Sequence, residues 1–473
     1  MKKYFRSFMT VFRPDKKIYW PILALYCTIN MVVLFNSVFH NPFVAYDVDG
    51  HINYVNTLSQ GRLPERDTNH EFFSPPLTYI IPAFLKSIGL NLRDAVRAGL
   101  FVNFFASLGI TYLTLKLIRR LAPENARIQL LGLLILGMLP AYYKTLAFLR
   151  GEPLVTLFTL LIIELSIIIF AEKKFNHQNI IALGITLGLS ILSRQWAFFI
   201  FPALIVIAFS VAVRDKENRI HIFNALAISI MIAYVIGAWF YIGLLFKYQT
   251  VTAFNRGAIG VEYLSSSFFT DIGDESLFTD PVRPSFSDQF WPIMHSEIWG
   301  DYWGYFTIYA KNKNTGEYIL GWQLTDLTRP LNKIQTNKFT FNRYLGQVNA
   351  ISLFPSFLLL AGVFYGLVQI FKIFRFTPDT NNFARGIIAL IVFFTLAGYT
   401  WFMIQYPAYG KGDTTKASYI LNIFPLVGLL VASMFQQIST RLRINIWPII
   451  LILILIMLFD SRAMVTNIVY FPW

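Results

Sequence analysis

Residues 153–170 read PLVTLFTLLIIELSIIIF, a run in which Glu164 is the one charged side chain. A helix rises about 1.5 Å per residue, so a run of this length nearly crosses the ~30 Å hydrocarbon core of a bilayer. Similar apolar runs recur along the chain of 473 residues, which is 55% hydrophobic and 14% charged. Soluble domains carry about 25% charged residues, so this composition excludes a wholly soluble protein.

Eleven apolar segments are long enough to be candidate membrane spans. They lie near residues 18–37, 94–118, 128–148, 153–172, 178–193, 196–213, 221–246, 349–372, 386–407, 417–437 and 445–463. Only Ser193-Arg194-Gln195 separates the fifth segment from the sixth, which permits either a tight hairpin or one bent helix. The sequence therefore predicts an all-α polytopic membrane protein of about eleven transmembrane helices.

The distribution of basic residues favours the hairpin. With eleven spans, alternate connections carry the short Lys and Arg clusters at 2–17, 116–127, 173–174, 214–219, 372–385 and 441–443. Cytoplasmic connections are enriched in Lys and Arg, so we expect a cytoplasmic amino terminus, with a bacterial inner membrane favoured over the endoplasmic reticulum. The net charge of +14 then belongs to membrane flanks, and no nucleic-acid partner is expected.

Two long segments fall on the opposite, extracytoplasmic or lumenal face. They suggest three parts: an N-terminal transmembrane module at 1–246 with a first outer loop at 38–93, a long outer loop at 247–348, and C-terminal transmembrane helices at 349–473. Both loops are rich in aromatic residues, and long ordered loops usually carry function. Cys27 is the one cysteine of the chain, so neither an intrachain disulfide nor a Cys-based zinc site can form.

The first outer loop begins with an acidic pair, Asp47-Val48-Asp49. On a helix starting here, His51 and Tyr54 share a polar stripe with Asp47. The carboxylates of Asp47 and Asp49 would diverge by about 200° if both were helical, so they can serve one centre only if Asp47 precedes the first turn. The alternative is that either residue simply caps the helix.

A second group of polar residues follows in the same loop. Pro75-Pro76 is expected to open another short helix and to return Glu71, with His70 beside it, toward the acidic pair. Helix amino ends favour anions such as phosphate, so the loop suits base catalysis beside a phosphate-bearing lipid. A divalent metal held by Asp47 and Asp49 is a further alternative, although no HxxxH or HExxH spacing accompanies them.

The patch after the first span, the His/Tyr helix, the Gly61-Arg62-Leu63-Pro64 segment and the Glu71 to Tyr79 segment resemble the first outer loop of GT-C polytopic glycosyltransferases. The family 39 branch, which includes protein O-mannosyltransferases and the lipid A aminoarabinose transferase, is the most similar. The resemblance implies a polyprenyl-phosphate-linked sugar as donor, an acidic base at Asp47 or Asp49, and a supporting role for Glu71. Many relatives read Asp-Glu where this chain reads Asp47-Val48, so the identity of the base stays open.

Basic residues at the outer ends of spans are candidates for holding the lipid phosphate, since guanidinium and ammonium groups form charge-assisted hydrogen bonds to it. These residues are Arg150, Arg194, Lys411 and Lys416, with Lys144 behind them. The alternative for each is a side chain that merely reaches the membrane interface. Trp299 and Asp301 in the long loop are candidates for sugar contact, or for packing of the loop itself.

The sequence therefore predicts a glycosyltransferase that moves a sugar from a lipid carrier to a protein, glycan or lipid acceptor. His51, Tyr54 and His70 are expected to contact substrate. Two alternatives remain: a transporter or flippase of lipid-linked saccharides, for which Glu164 is the main intramembrane acid, and a polymerase or ligase that relies on basic residues.

Overall fold

The computed structural model describes residues 19–251, 266–273, 275–325, 338–375, 379–405 and 414–466. The first half consists of α1 Tyr19–Phe39, α2 Val48–Leu58, α3 Leu77–Ser87, α4 Leu92–Leu121, α5 Ala126–Gly137, α6 Pro140–Leu146, α7 Glu152–Ser166, α8 His177–Ser193, α9 Ile200–Arg214 and α10 Arg219–Tyr248. A π-helical turn at Ile167–Ala171 extends α7, and a 3-10 turn at Gln195–Phe199 precedes α9.

The second half contains a smaller loop region followed by four long helices. Its elements are α11 Ser266–Thr270, α12 Ser276–Thr279, α13 Phe290–Trp299, β1 Ile308–Asn312, β2 Tyr318–Leu320, α14 Gly321–Thr325, β3 Phe339–Phe341, α15 Tyr344–Ile351, α16 Leu353–Arg375, α17 Thr380–Gln405, α18 Ile423–Leu442 and α19 Trp447–Asp460. The strands form one antiparallel sheet of order β2-β1-β3. Short 3-10 turns at Ala417–Ile420 and Ser461–Met464 complete the described chain.

Within the described residues, nine helical segments are long and apolar enough to cross a membrane. The pair α5 and α6, bent by 58° at Met138-Leu139, adds a broken span, and α8 is an apolar helix of 17 residues. Every apolar segment predicted from the sequence therefore contains a helix. The predicted all-α polytopic fold is confirmed.

Contacts between α8 and α10 resolve the alternative at Arg194. The Ser229 hydroxyl donates to the Ile180 carbonyl, and further along both helices the Tyr241 hydroxyl donates to the Ile191 carbonyl. Residue numbers rise together, so α8 and α10 run parallel. Because α9 connects the end of α8 to the start of α10, it must run in the opposite direction to both. Arg194, whose backbone is extended, therefore lies at the predicted hairpin.

The loops between the helices meet at one end of the bundle, here called the loop face. It carries residues 40–91, the region 266–351 and the short connections at Arg150, Arg194 and Lys416. The loop region packs its own aromatic core, in which Phe286 contacts Tyr302. Trp303 and Phe306 of the same region contact Tyr46 of the first loop and Phe148, respectively. The first loop and the long loop are thus parts of one packed assembly.

Glu164, the intramembrane acid, is paired near the opposite end of the bundle. Its carboxylate lies 2.8 Å from Arg120 and 3.1 Å from Lys116, both on α4. Acids that serve transport usually face a cavity or pathway. The pairing gives Glu164 a structural function and removes the main residue on which the transporter alternative depended.

A buried ion cluster joins the long loop to the bundle. Lys144 of α6 lies 2.9 Å from the Glu297 carboxylate and 3.7 Å from Asp301, and all three side chains are essentially inaccessible. The Lys144 ammonium also donates to the Glu297 and Gly300 carbonyls. Charges taken out of water are tolerated only when they are paired and hydrogen-bonded, so this cluster fixes α13 above α6.

We predict that Lys144→Met destabilises the protein, because it leaves Glu297 and Asp301 buried without their cation. Removing one partner of a buried pair typically costs about 3–5 kcal/mol. The thermal midpoint of the purified protein in detergent measures the effect. Lys247→Met is the matched control, because Lys247 pairs with Glu65 in an exposed bridge and its loss should change the midpoint little. Equal midpoints for the two variants would contradict the anchoring function.

Candidate active site

A cavity of about 500 Å³ opens on the loop face between the first loop and the long loop. Its lining comes from residues 43–45 and 47–49 and from His70, Arg283, Trp303, Tyr305 and Trp322. Tyr305 and Trp322 stack with ring centroids 6.0 Å apart, and the Arg283 guanidinium lies 4.6 Å from the Trp303 ring. The cavity therefore combines aromatic walls with the acidic pair predicted from the sequence.

Asp47 lies at the edge of this cavity, immediately before α2 begins at Val48. Its backbone is left-handed, with φ 53° and ψ 28°, and its side chain makes no capping hydrogen bond. Instead the carboxylate accepts from Lys416 at 2.8 Å and lies 3.9 Å from Arg150. The side chain is 34% exposed. The simple capping function considered from the sequence therefore does not apply to the Asp47 side chain.

The two cations keep the Asp47 carboxyl ionised. Burial alone would raise its pKa, but the charges of Lys416 and Arg150 outweigh this and hold the pKa below its usual range. The pKa of the Lys416 ammonium is raised in turn, since burial, which would lower it, is outweighed by Asp47 and Tyr419 together. At neutral pH the pair is therefore a carboxylate and an ammonium.

Lys416 is held in place by aromatic groups. Its ammonium lies 5.3 Å from the Tyr46 ring centroid, 5.2 Å from Trp303 and 5.7 Å from Tyr419. Its backbone N–H donates to the Tyr399 hydroxyl at 3.0 Å. Ring faces attract cations, so this cage fixes the position of the charge without neutralising it.

Beyond Asp47 the charges continue as an alternating chain. Arg150 donates through Nε and one terminal nitrogen to Glu152, at 3.2 and 3.1 Å. Glu152 lies 3.3 Å from Nε of Arg194, and Arg194 lies 3.2 Å from Glu71. Lys416, Arg150 and Arg194 thus balance Asp47, Glu152 and Glu71, and we call this set the charge chain.

His51 is buried beside Glu71, at the end of the charge chain. Its Nδ1 lies 2.6 Å from the Tyr79 hydroxyl and 3.9 Å from Glu71, which also accepts from Ser74. Burial lowers the pKa of His51 to about 4, although Glu71 opposes the shift. His51 is consequently neutral at physiological pH. The pKa of Glu71 lies below its usual value, because burial, which would raise it, is outweighed by the charge of Arg194 and by that of His51 in its protonated form.

The remaining predicted residues separate by exposure. Asp49 and His70 are exposed and line the cavity. Tyr54 is buried and stacks on Tyr79 at 4.1 Å. Lys411 lies outside the described residues. Arg194 is 3% exposed and, like Arg150, is paired with acids of the charge chain.

Trp299 and Asp301, the two candidates from the long loop, are completely buried. The Trp299 ring nitrogen donates to Ser356, and Asp301 accepts from the backbone N–H groups of Phe306 and Thr307. These contacts favour a structural function for both. The aromatic residues that do face the cavity, Trp303 and Tyr305, follow a few positions later in the sequence.

Sequence reasoning missed the acid and the tyrosine that organise the site. Glu152 follows Arg150 in Arg150-Gly151-Glu152, an acid at a helix start that is usually assigned to the helix dipole. Tyr46 directly precedes Asp47, and its hydroxyl donates to Glu297, whose pKa is raised by burial. The partnership of Tyr46 and Glu297 has no local sequence pattern, since the two residues are 251 positions apart.

The acids and histidines of the first loop do not gather around one point. Among the described residues, no group of three or more His, Cys, Asp or Glu side chains is arranged to hold a metal ion. Asp47 faces two cations, and Glu71 faces Arg194 and His51. The donor set as it stands therefore does not fit the metal alternative at Asp47 and Asp49.

No family model and no curated protein matches this sequence. Among solved structures, the apo oligosaccharyltransferase of Archaeoglobus fulgidus aligns over 95% of this chain and 56% of its own, with 12% identity and a TM-score of 0.46. AglB of the same organism, in complex with an inhibitory peptide and a dolichol-phosphate, aligns over 96% and 56%, with 12% identity and a TM-score of 0.45.

ArnT from Cupriavidus metallidurans, bound to undecaprenyl phosphate, aligns over 94% of this chain and 89% of its own, with 12% identity and a TM-score of 0.39. These enzymes are GT-C glycosyltransferases, the superfamily that the first outer loop resembles. This chain spans a little over half the length of the archaeal enzymes. At such identities the similarity does not extend to an assignment of activity.

We predict that Gly151→Ala disrupts the charge chain, because a Cβ there would lie 2.0 Å from the Ser193 carbonyl oxygen. The backbone must move, which separates Glu152 from Arg194 and should cost about 1–3 kcal/mol of stability. The thermal midpoint in detergent measures this effect. Gly243→Ala is the matched control, since a Cβ there meets no atom within 4 Å. An unchanged midpoint for Gly151→Ala would show that the close approach is not needed.

Proposed function

We propose that this protein is a GT-C-type membrane glycosyltransferase that takes its sugar from a polyprenyl-phosphate carrier. The observation that carries the proposal is the position of Asp47, a partly exposed carboxylate at the edge of a 500 Å³ cavity, beside Lys416 and Arg150. A base next to two cations is what transfer of a sugar from a phosphate requires.

Asp47 is the proposed general base. The acceptor oxygen would bond to the anomeric carbon while the bond from that carbon to the phosphate oxygen breaks, and the acceptor proton would pass to the Asp47 carboxylate. Lys416 and Arg150 would stabilise the negative charge of the departing lipid phosphate, as preorganised charges do in a water-poor site. Asp49 is exposed in the same cavity and is the alternative base.

The cavity itself would receive the acceptor or the sugar. Rings such as Tyr305 and Trp322 offer flat apolar surfaces to the apolar face of a sugar, while Asp49 and His70 offer hydrogen bonds to hydroxyl groups. Glu71 and Arg194 would act indirectly, by holding Glu152 and therefore Arg150 in position. The extracytoplasmic or lumenal orientation of the loop face belongs to the same proposal and depends on the basic clusters at the other end.

A lipid-linked saccharide polymerase or ligase is the second candidate, since it would use the same cations. That function would depend on Lys416 and Arg150 but not on Asp47. The comparison of glycans from cells with and without the gene tests the general proposal. An accumulated lipid-linked sugar, detected by mass spectrometry, would identify the donor, and no change in lipid-linked sugars or surface glycans would contradict the proposal.

We predict that Asp47→Asn lowers sugar transfer about 10²–10⁴-fold, because the amide cannot accept the acceptor's proton. Membrane insertion should be unchanged, as shown by monodisperse elution in detergent. Asp49→Asn should have a smaller effect, since Asp49 has no cation partner among the described residues. A larger loss with Asp49→Asn would identify Asp49, and not Asp47, as the base. Full activity in both variants would contradict base catalysis by either residue.

The pH dependence of kcat/KM should reveal the link between Asp47 and Lys416. Protonation of Asp47 abolishes the base, so activity falls as pH drops through its depressed pKa. Lys416→Gln removes one of the charges that depress this pKa, so the acid limb should move to higher pH. The position of the limb, not the absolute rate, is the measurement, and Lys247→Gln should leave it in place. A limb that does not move would exclude Asp47 as the titrating base.

A further inference from the structure

The cations proposed to hold the donor phosphate are already paired with the proposed base. Lys416 contacts Asp47 Oδ2 at 2.8 Å, and the same oxygen lies 3.9 Å from one terminal nitrogen of Arg150. The other two guanidinium nitrogens of Arg150 bind Glu152. The nitrogen that faces Asp47 makes no hydrogen bond and is buried. A phosphate that reached Lys416 and this nitrogen would arrive where the Asp47 oxygen lies.

Charge balance leads to the same conclusion. The charge chain contains as many carboxylates as cations, and Arg150 and Lys416 are 0% and 8% exposed. Aromatic rings fill the remaining space around the Lys416 ammonium. An additional anion in this layer would leave a buried negative charge without a partner, which is strongly unfavourable. A carboxylate must therefore leave its position beside these cations when a phosphate binds to them.

Among the three acids of the charge chain, Asp47 is the one that can move. Its side chain is 34% exposed, whereas Glu71 and Glu152 are 5% and 3% exposed. Its backbone is fixed, because the preceding Tyr46 donates to Glu297 and packs edge-on against Phe148 at 5.1 Å. Rotation of one side chain would therefore bring the carboxylate into the cavity while the loop stays in position.

We propose that the donor's phosphate replaces the Asp47 carboxylate at Lys416 and Arg150, and that Asp47 turns into the cavity as a free base only when the donor is bound. This inference rests on the proposed function. In the donor-free protein the base is confined to an ion pair. Asp47 would then become available to take the acceptor's proton only after the donor has bound.

Binding of undecaprenyl phosphate to the full chain in nanodiscs tests the exchange. Asp47→Asn removes the competing carboxylate and should raise the affinity about tenfold, within the usual range for coupled sites. The gain should shrink in the Lys416→Gln background, because the nearer of the two cations that Asp47 and the phosphate would share is gone. Lys416→Arg keeps the charge and should preserve the gain, which excludes misfolding as the cause of its loss.

Asp67→Asn is the matched control, since it removes the same charge from an exposed position of the first loop outside the cavity lining and should change the affinity less than about twofold. Equal gains from Asp47→Asn and Asp67→Asn, or a gain that Lys416→Gln leaves undiminished, would overturn the exchange while leaving the proposed function intact. Inorganic phosphate forms a second arm. If inorganic phosphate showed the expected pattern and undecaprenyl phosphate did not, the exchange would be supported and a lipid-linked donor would be contradicted. Failure of every variant to bind either probe would overturn both.

Discussion

The charge chain from Lys416 through Asp47, Arg150, Glu152 and Arg194 to Glu71 is the interaction on which the rest of the loop face depends. It brings together the connections after α1, α2, α6, α8 and α17, which come from both halves of the sequence. Buried charges are stable only as a complete set, so each connection is held by the others. The apolar helices provide the frame, and the charges determine how their ends meet.

Much of the fold follows from the sequence because membrane spans are encoded locally. Twenty or so apolar residues must form a helix in lipid, and the basic clusters give its direction. The same reasoning indicated that a helix starts at or just after Asp47, and favoured a hairpin at Arg194. Both depend on short patterns: an acid beside a helical stripe, and three polar residues between apolar runs.

The parts of the site that could not be predicted depend on distant partners. Arg194 is predicted from the sequence to lie at a lipid phosphate, and the fold adds two acid partners that the sequence does not indicate, one of which, Glu71, is 123 positions away. Trp299 and Asp301 belong to the same aromatic stretch as Trp303 and Tyr305, and composition cannot tell which of them face inward. Such distinctions arise only when the long loop packs on the bundle.

Tyr46 and Asp47 are adjacent, yet their side chains belong to different clusters. Tyr46 reaches into the Glu297 and Lys144 cluster of the long loop, and Asp47 reaches into the charge chain of the bundle. The peptide bond between Tyr46 and Asp47 therefore links the packing of the long loop to that of the helical bundle. Tyr305 on the cavity wall packs edge-on against Tyr46 at 5.5 Å, so the wall of the cavity is coupled to the same pair of residues. Replacing the long loop as a unit would require the incoming segment to bring its own partner for Tyr46.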